Sequence, residues 1–145
     1  MDKVTSDLMI CYYRLSSEDG DVARGNAAES FSISAQRLCV QNFLASRPDL
    51  EGTVEEIVDD GYTGTNMNRP GMQRLLSLVK SGSVKAVIVR DLSRFSRNFL
   101  EGGHYLEFVF PAYGVRFISI NDHFDSADYG ESTGGLELGI TNLLN

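Results

Sequence analysis

An arginine and a serine separated by one residue, at the end of a short apolar run, carry the first chemical signal. Residues 10–17 read I-C-Y-Y-R-L-S-S, with Arg14 and Ser16 at that spacing. A hydroxyl just past the carboxyl end of a strand stands where open α/β sheets collect their ligands. Arg90, Arg94 and Arg97 follow a second apolar run, in R-D-L-S-R-F-S-R at 90–97, and Arg69 lies in G-Y-T-G-T-N-M-N-R-P-G at 61–71. Arginine offers planar, paired donors to phosphate oxygens and keeps its charge. A serine ringed by guanidiniums therefore suits attack on a phosphodiester. The arginines would neutralise charge gathering on the equatorial oxygens and favour the alkoxide. Arg94 and Arg97, three apart, project from one side if they sit on a helical turn. The competing reading is a solvated basic face paired with Asp91 and Glu101.

The elements that must position these residues alternate between strand and helix. Residues 8–13 read as a strand, rich in aromatic and large apolar side chains. After a polar stretch, Ala35, Leu38, Cys39 and Phe43 fall at helical spacing, with Ser32 as the expected N-cap. Residues 53–58 alternate as a second strand. Pro70 opens a helix whose Met72, Leu75, Leu76 and Val79 follow the i, i+3, i+4, i+7 template. Residues 86–89 form a continuous apolar run of the kind buried in parallel sheets. A helix is expected over 98–110, weakened by Gly102-Gly103, with Leu106, Phe110 and Tyr113 on one face. Residues 115–120 read as a fourth strand, 121–130 as an acidic loop, and 133 onward as a helix with Leu136, Ile140, Leu143 and Leu144 in a stripe. This order implies one α/β domain, three-layer α/β/α, with a central, mainly parallel sheet. Strands one and three would deliver Arg14, Ser16, Arg94 and Arg97 to the same sheet edge, within reach of Arg69.

Other chemistries find little support. The chain has no G-x-x-x-x-G-K-[ST] and no G-x-S-x-G. His104 and His123 do not combine with the cysteines at metal-ligand spacing, and neither a metal nor another cofactor is expected. Asp122, Asp125, Asp128 and Glu131 miss the calcium-loop signature and read as a solvated loop. Cys11 and Cys39 read as reduced thiols of a cytoplasmic protein. Residues 1–7 are polar, and no apolar run approaches a membrane span. The net charge of −7 opposes nucleic acid as a whole. Phosphate chemistry must then use a local basic cluster or a DNA-binding segment outside residues 1–145.

Five short motifs in order resemble the serine recombinases, the resolvases and invertases: Y-Y-R-L-S at 12–16, S-I-S-A-Q at 32–36, D-G-Y-T-G at 60–64, R-P-G-M at 69–72 and D-L-S-R-F-S-R-N at 91–98. The long polar loop before Ser32 and the L-S-R-F-S-R-N wording look most like the large, transposon-type members. The resemblance implies a catalytic domain over 1–145 with the start of the long oligomerisation helix at about 133–145, and DNA-binding regions beyond it. It implies Ser16 as nucleophile, Arg14, Arg69, Arg94 and Arg97 as active-site arginines, and Gln36 and Tyr12 as supporting residues. Where the family often carries Asp-Arg, this chain has Ser93-Arg94, so either Asp91 or Ser93 is the candidate replacement. The implied reaction forms a 5′-phosphoserine and a free 3′-hydroxyl, followed by strand exchange and religation. The implied partners are DNA and further copies of the chain, as a homodimer assembling to a tetramer. Residues 1–145 alone are expected to be inactive on DNA and at most a weak dimer. The rival readings are a non-catalytic phosphate-binding module and a hydrolase of small phosphoesters.

Overall fold

The computed structural model describes residues 6–15, 31–129 and 133–144. Ser16, Ser17, the rest of the polar stretch to Ser30, and Glu131 lie outside the described residues. Five strands form one sheet: β1 (Leu8–Leu15), β2 (Thr53–Asp60), β3 (Val84–Val89), β4 (Arg116–Ser119) and β5 (Phe124–Asp125). Their order is β2-β1-β3-β4-β5, parallel except for β5. The sheet is covered on both faces, so side chains of one strand alternate between two cores. Ile10 and Tyr12 join Val87, Val89 and Phe117 on one face. Cys11, Tyr13 and Leu15 join Ile88 and Ile118 on the other.

Helix α1 (Phe31–Ala45) covers the second of these faces through Ile33 and Val40. Helix α2 (Pro70–Lys80) covers the first, burying the four residues of its apolar template, Met72, Leu75, Leu76 and Val79. The division follows from connectivity. β1 steps outward to β2, while β2 crosses back over β1 to reach β3, and right-handed crossovers in opposite directions put their helices on opposite faces. The carboxyl ends of β1 and β3 are therefore a topological switch point, where a crevice opens. Ser32 lies inside α1 and does not cap it, because the helix already includes Phe31.

Past β3, a short helix α3 (Leu92–Phe95) leads to α4 (Phe99–His104), a π turn (Tyr105–Val109) and α5 (Phe110–Ala112). Asn98 caps α4, its Oδ1 accepting from the amides of Leu100 at 3.1 Å and Glu101 at 3.2 Å. Leu106 and Phe110 face the core as expected, but Tyr113 does not. It sits after the wider π turn, at the end of α5, and is exposed. Gly102-Gly103 does not break the helix but permits close packing. A β-carbon at Gly102 would stand 2.9 Å from Ser96 Oγ.

The stretch expected as an open acidic loop contains β5 and a 3₁₀ turn (Ser126–Tyr129). Arg116 pairs with Asp125 through two bonds of 2.9 and 2.5 Å, and Ser126 Oγ accepts from the Phe117 amide. These bonds zip the stretch to β4, and both Asp125 carboxylate oxygens are taken by the Arg116 guanidinium. The last helix is α6 (Thr133–Leu144), with Ile140 in the core. Among the described residues no helix is long and apolar enough to cross a membrane. Cys11 and Cys39 are free thiols. Burial, with Glu56 nearby, pushes the Cys11 thiol up to about 12, so it stays protonated.

Candidate active site

Arg14 lies on the same side of β1 as Tyr12, the side facing α2 and α3. It is fully buried, at 0 % exposure. Its guanidinium donates to three main-chain carbonyls: Tyr62 at 2.8 Å, Ser93 at 2.7 Å and Arg94 at 3.2 Å. Arg69, the residue before Pro70, is 1 % exposed. It donates to the carbonyls of Asn66 at 3.1 Å, Arg94 at 3.2 Å and Phe95 at 2.6 Å, and to the Tyr12 hydroxyl at 3.0 Å. The Arg94 carbonyl is thus shared by two guanidiniums. Buried cations need such dipoles around them, since an unpaired charge away from water is costly. Arg14 and Arg69 accordingly hold the 92–95 segment against β1.

Gln36 works on the other side of the same residue. Its Oε1 accepts from the Arg14 amide at 3.2 Å, and its Nε2 donates to the Arg14 carbonyl at 3.0 Å. The side-chain amide therefore acts like a short neighbouring strand at the end of β1, two residues before Ser16.

Arg94 and Arg97 differ from the first pair. Arg94 Nη1 donates to the Arg14 carbonyl at 3.1 Å, and its Nε lies 3.4 Å from Asp91 Oδ2. Arg97 is exposed. The expectation that both project from one helical turn fails, because α3 ends at Phe95 and Ser96 is extended (φ −156°, ψ 142°). Arg97 is tethered instead through its amide, which donates to the Gly64 carbonyl at 2.8 Å. The charges of the other three arginines still reach Arg14. Burial, then the charges of Arg69, Arg97 and Arg94, bring Arg14 down to about 10 despite the opposing effect of Tyr12. Arg14 remains a cation at neutral pH, in a field that favours an incoming anion.

Asp59, buried at the end of β2, was not singled out by the sequence. Its carboxylate accepts from the Tyr12 hydroxyl at 2.6 Å and from the amides of Gly71 at 2.8 Å and Met72 at 2.9 Å. Arg69 occupies the N-cap position of α2 without a side-chain capping bond, so a carboxylate from another element satisfies the helix start. The chain Asp59–Tyr12–Arg69 links β2, β1 and α2. Two motif glycines have a steric reason here. A β-carbon at Gly64 would lie 2.9 Å from Arg14 Nη2, and one at Gly71 would lie 2.8 Å from Asp59 Oδ2. Asp59→Ala would orphan two helix amides and a buried hydroxyl. It should lower stability by about 2–4 kcal/mol, measurable by urea unfolding of residues 1–145.

His104 is exposed, and His123 sits in the turn between β4 and β5 with φ 53°. Among the described residues no group of three His, Cys, Asp or Glu side chains could hold a metal ion.

The family model for the resolvase N-terminal domain matches residues 9–145. The chain belongs to the resolvase family. Its fold is that of serine recombinase catalytic domains. The N-terminal catalytic domain of TP901-1 integrase is 26 % identical, with a TM-score of 0.68 over 94 % of this chain and 90 % of that one. A resolvase family site-specific recombinase from Streptococcus pneumoniae is also 26 % identical, with a TM-score of 0.67 over 94 % of this chain and 83 % of that one. The catalytic domain of the IS607-like serine recombinase ISC1926 TnpA, at 24 % identity and a TM-score of 0.60 over 78 % of this chain and 70 % of that one, shares the fold. No curated protein matched the chain.

Proposed function

We propose that this resolvase domain cleaves and rejoins DNA at specific sites through Ser16. The observation that carries the reading is the convergence of Arg14, Arg69, Arg94 and Arg97 at the carboxyl ends of β1 and β3, one strand of which leads directly into Ser16. Ser16 Oγ attacks a DNA phosphorus and the P–O3′ bond breaks. The serine proton is lost as the 3′ oxygen gains one, leaving a 5′-phosphoserine and a free 3′-hydroxyl. Reversal by another 3′-hydroxyl rejoins the strand with no external energy source, because the phosphoester is retained.

Arg94 and Arg97 are the arginines we assign to the phosphate oxygens, where planar donors oppose the charge developing in the transition state. Arg14 and Arg69 supply field and hold the 92–95 segment, while Gln36, Tyr12 and Asp59 fix the frame. In this reading the arginines do the electrostatic work, and DNA and further copies of the chain are the partners. Covalent capture tests it. The full-length protein, given a nicked substrate carrying its own site, should form a denaturation-resistant protein–DNA adduct with chelator present. A phosphate-binding module would form none, and a small-ester hydrolase would turn over without DNA.

A further inference from the structure

Asp91 holds the N-cap position of α3 with an extended backbone (φ −149°, ψ 161°), yet its carboxylate makes no capping bond. Aspartate is favoured at such positions because it accepts from the first helical amides. Here the Arg94 amide, a usual target of such a cap, donates to the Asp91 main-chain carbonyl at 3.1 Å, and the Leu92 amide donates to Asp122 Oδ2 at 2.8 Å, an oxygen that also accepts from Ser119 Oγ at 2.6 Å. With the Arg94 amide served by the Asp91 main chain and the Leu92 amide by Asp122, the Asp91 carboxylate turns to other partners. One oxygen accepts from Ser93 Oγ. The other lies 3.1 Å from Arg90 Nε and 3.4 Å from Arg94 Nε.

We propose that Asp91 is the positioning residue of Arg94, with the Ser93 hydroxyl locking its carboxylate. The inference rests on the role given to Arg94 above. Arg94 is held in two ways: the buried Nε, which makes no hydrogen bond among the described residues, is ion-paired with Asp91, and Nη1 donates to the Arg14 carbonyl. The second anchor lies in β1 two residues ahead of Ser16, so the carboxylate sets where the guanidinium stands relative to the nucleophile. The pair is largely out of water, with side-chain exposures of 12 % for Arg94 and 22 % for Asp91. Burial alone would raise the Asp91 carboxyl. The Ser93 hydroxyl, Arg94 and Arg90 outweigh it and hold the group below the usual carboxylate range, hence ionised. A serine before Arg94 thus does not deprive the site of a carboxylate, because one arrives from two residues earlier.

The test uses Asp91→Asn, close in volume, and the same variant carrying Ser93→Asp, which returns a carboxylate from the neighbouring position. In ¹⁵N-edited spectra of residues 1–145, Asp91→Asn should release the ion-paired guanidinium and speed solvent exchange of the buried Arg94 Nε–H by about tenfold or more. In the full-length protein it should slow single-turnover cleavage by roughly 10- to 100-fold with site affinity unchanged. Adding Ser93→Asp should recover much of both. Wild-type exchange and cleavage in Asp91→Asn would overturn the proposal, as would a cleavage defect that Ser93→Asp fails to relieve. A wild-type protein forming no adduct would remove the recombinase reading instead, and the exchange measurement would still decide the Asp91–Arg94 linkage.

Discussion

Ser16→Ala is expected to abolish the covalent DNA adduct, while Ser17→Ala leaves it in place. The alternation of β1 underlies this asymmetry. Ile10, Tyr12 and Arg14 point to the face that carries α2 and the arginine cluster, whereas Cys11, Tyr13 and Leu15 point toward α1. An extended continuation of β1 would put Ser16 on the arginine side and Ser17 on the other. Gln36 supports that continuation by clamping the Arg14 amide and carbonyl as a neighbouring strand would. Loss of a nucleophile from a working set costs on the order of a million-fold in rate, so no adduct should be detectable. Mass spectrometry of the digested adduct decides the position, and a phosphoserine at 17 would overturn the assignment.

The sequence made legible whatever obeys a short period or a local rule. The α2 template placed Met72, Leu75, Leu76 and Val79 in the core, and Pro70 marked the helix start. The apolar runs around 8–13 and 86–89 found the two central strands, and with them the sheet edge where the arginines gather. Bonds between distant residues leave no such trace. Asp59 looks like part of an ordinary D-D-G turn. Its importance comes from pairing across 47 positions with Tyr12 and from capping a helix that starts eleven residues later. The β5 strand is two residues long, too short for a period, and rests on the pairing of Arg116 with Asp125. The helical spacing of Arg94 and Arg97 misled for the converse reason. A pattern of three needs the helix to persist, and α3 stops between them.

That difference in setting divides the arginines experimentally. Arg97→Ala should leave stability within about 0.5 kcal/mol of wild type, the usual scale for an exposed residue. It should nevertheless cut strand cleavage by about 100- to 1,000-fold, the scale for removing one preorganised donor to a developing oxyanion. Arg69→Ala should do the reverse first. It strips donors from the carbonyls of Asn66, Arg94 and Phe95 and from the Tyr12 hydroxyl. Each buried polar group left unsatisfied costs about 1–3 kcal/mol, so a loss of at least about 3 kcal/mol is expected before catalysis is considered. Lysine should rescue neither position well. At Arg97 it lacks the planar fork, and at Arg69 one ammonium cannot reach carbonyls that the guanidinium meets from three nitrogens. Urea unfolding of residues 1–145 and adduct yield from the full-length protein separate the two effects. Near-wild-type cleavage by Arg97→Ala would exclude that residue from the phosphate contacts. Unchanged stability in Arg69→Ala would mean that the 92–95 segment is held by the Arg14 and Arg94 bonds alone, and that Arg69 is free to serve the phosphate directly.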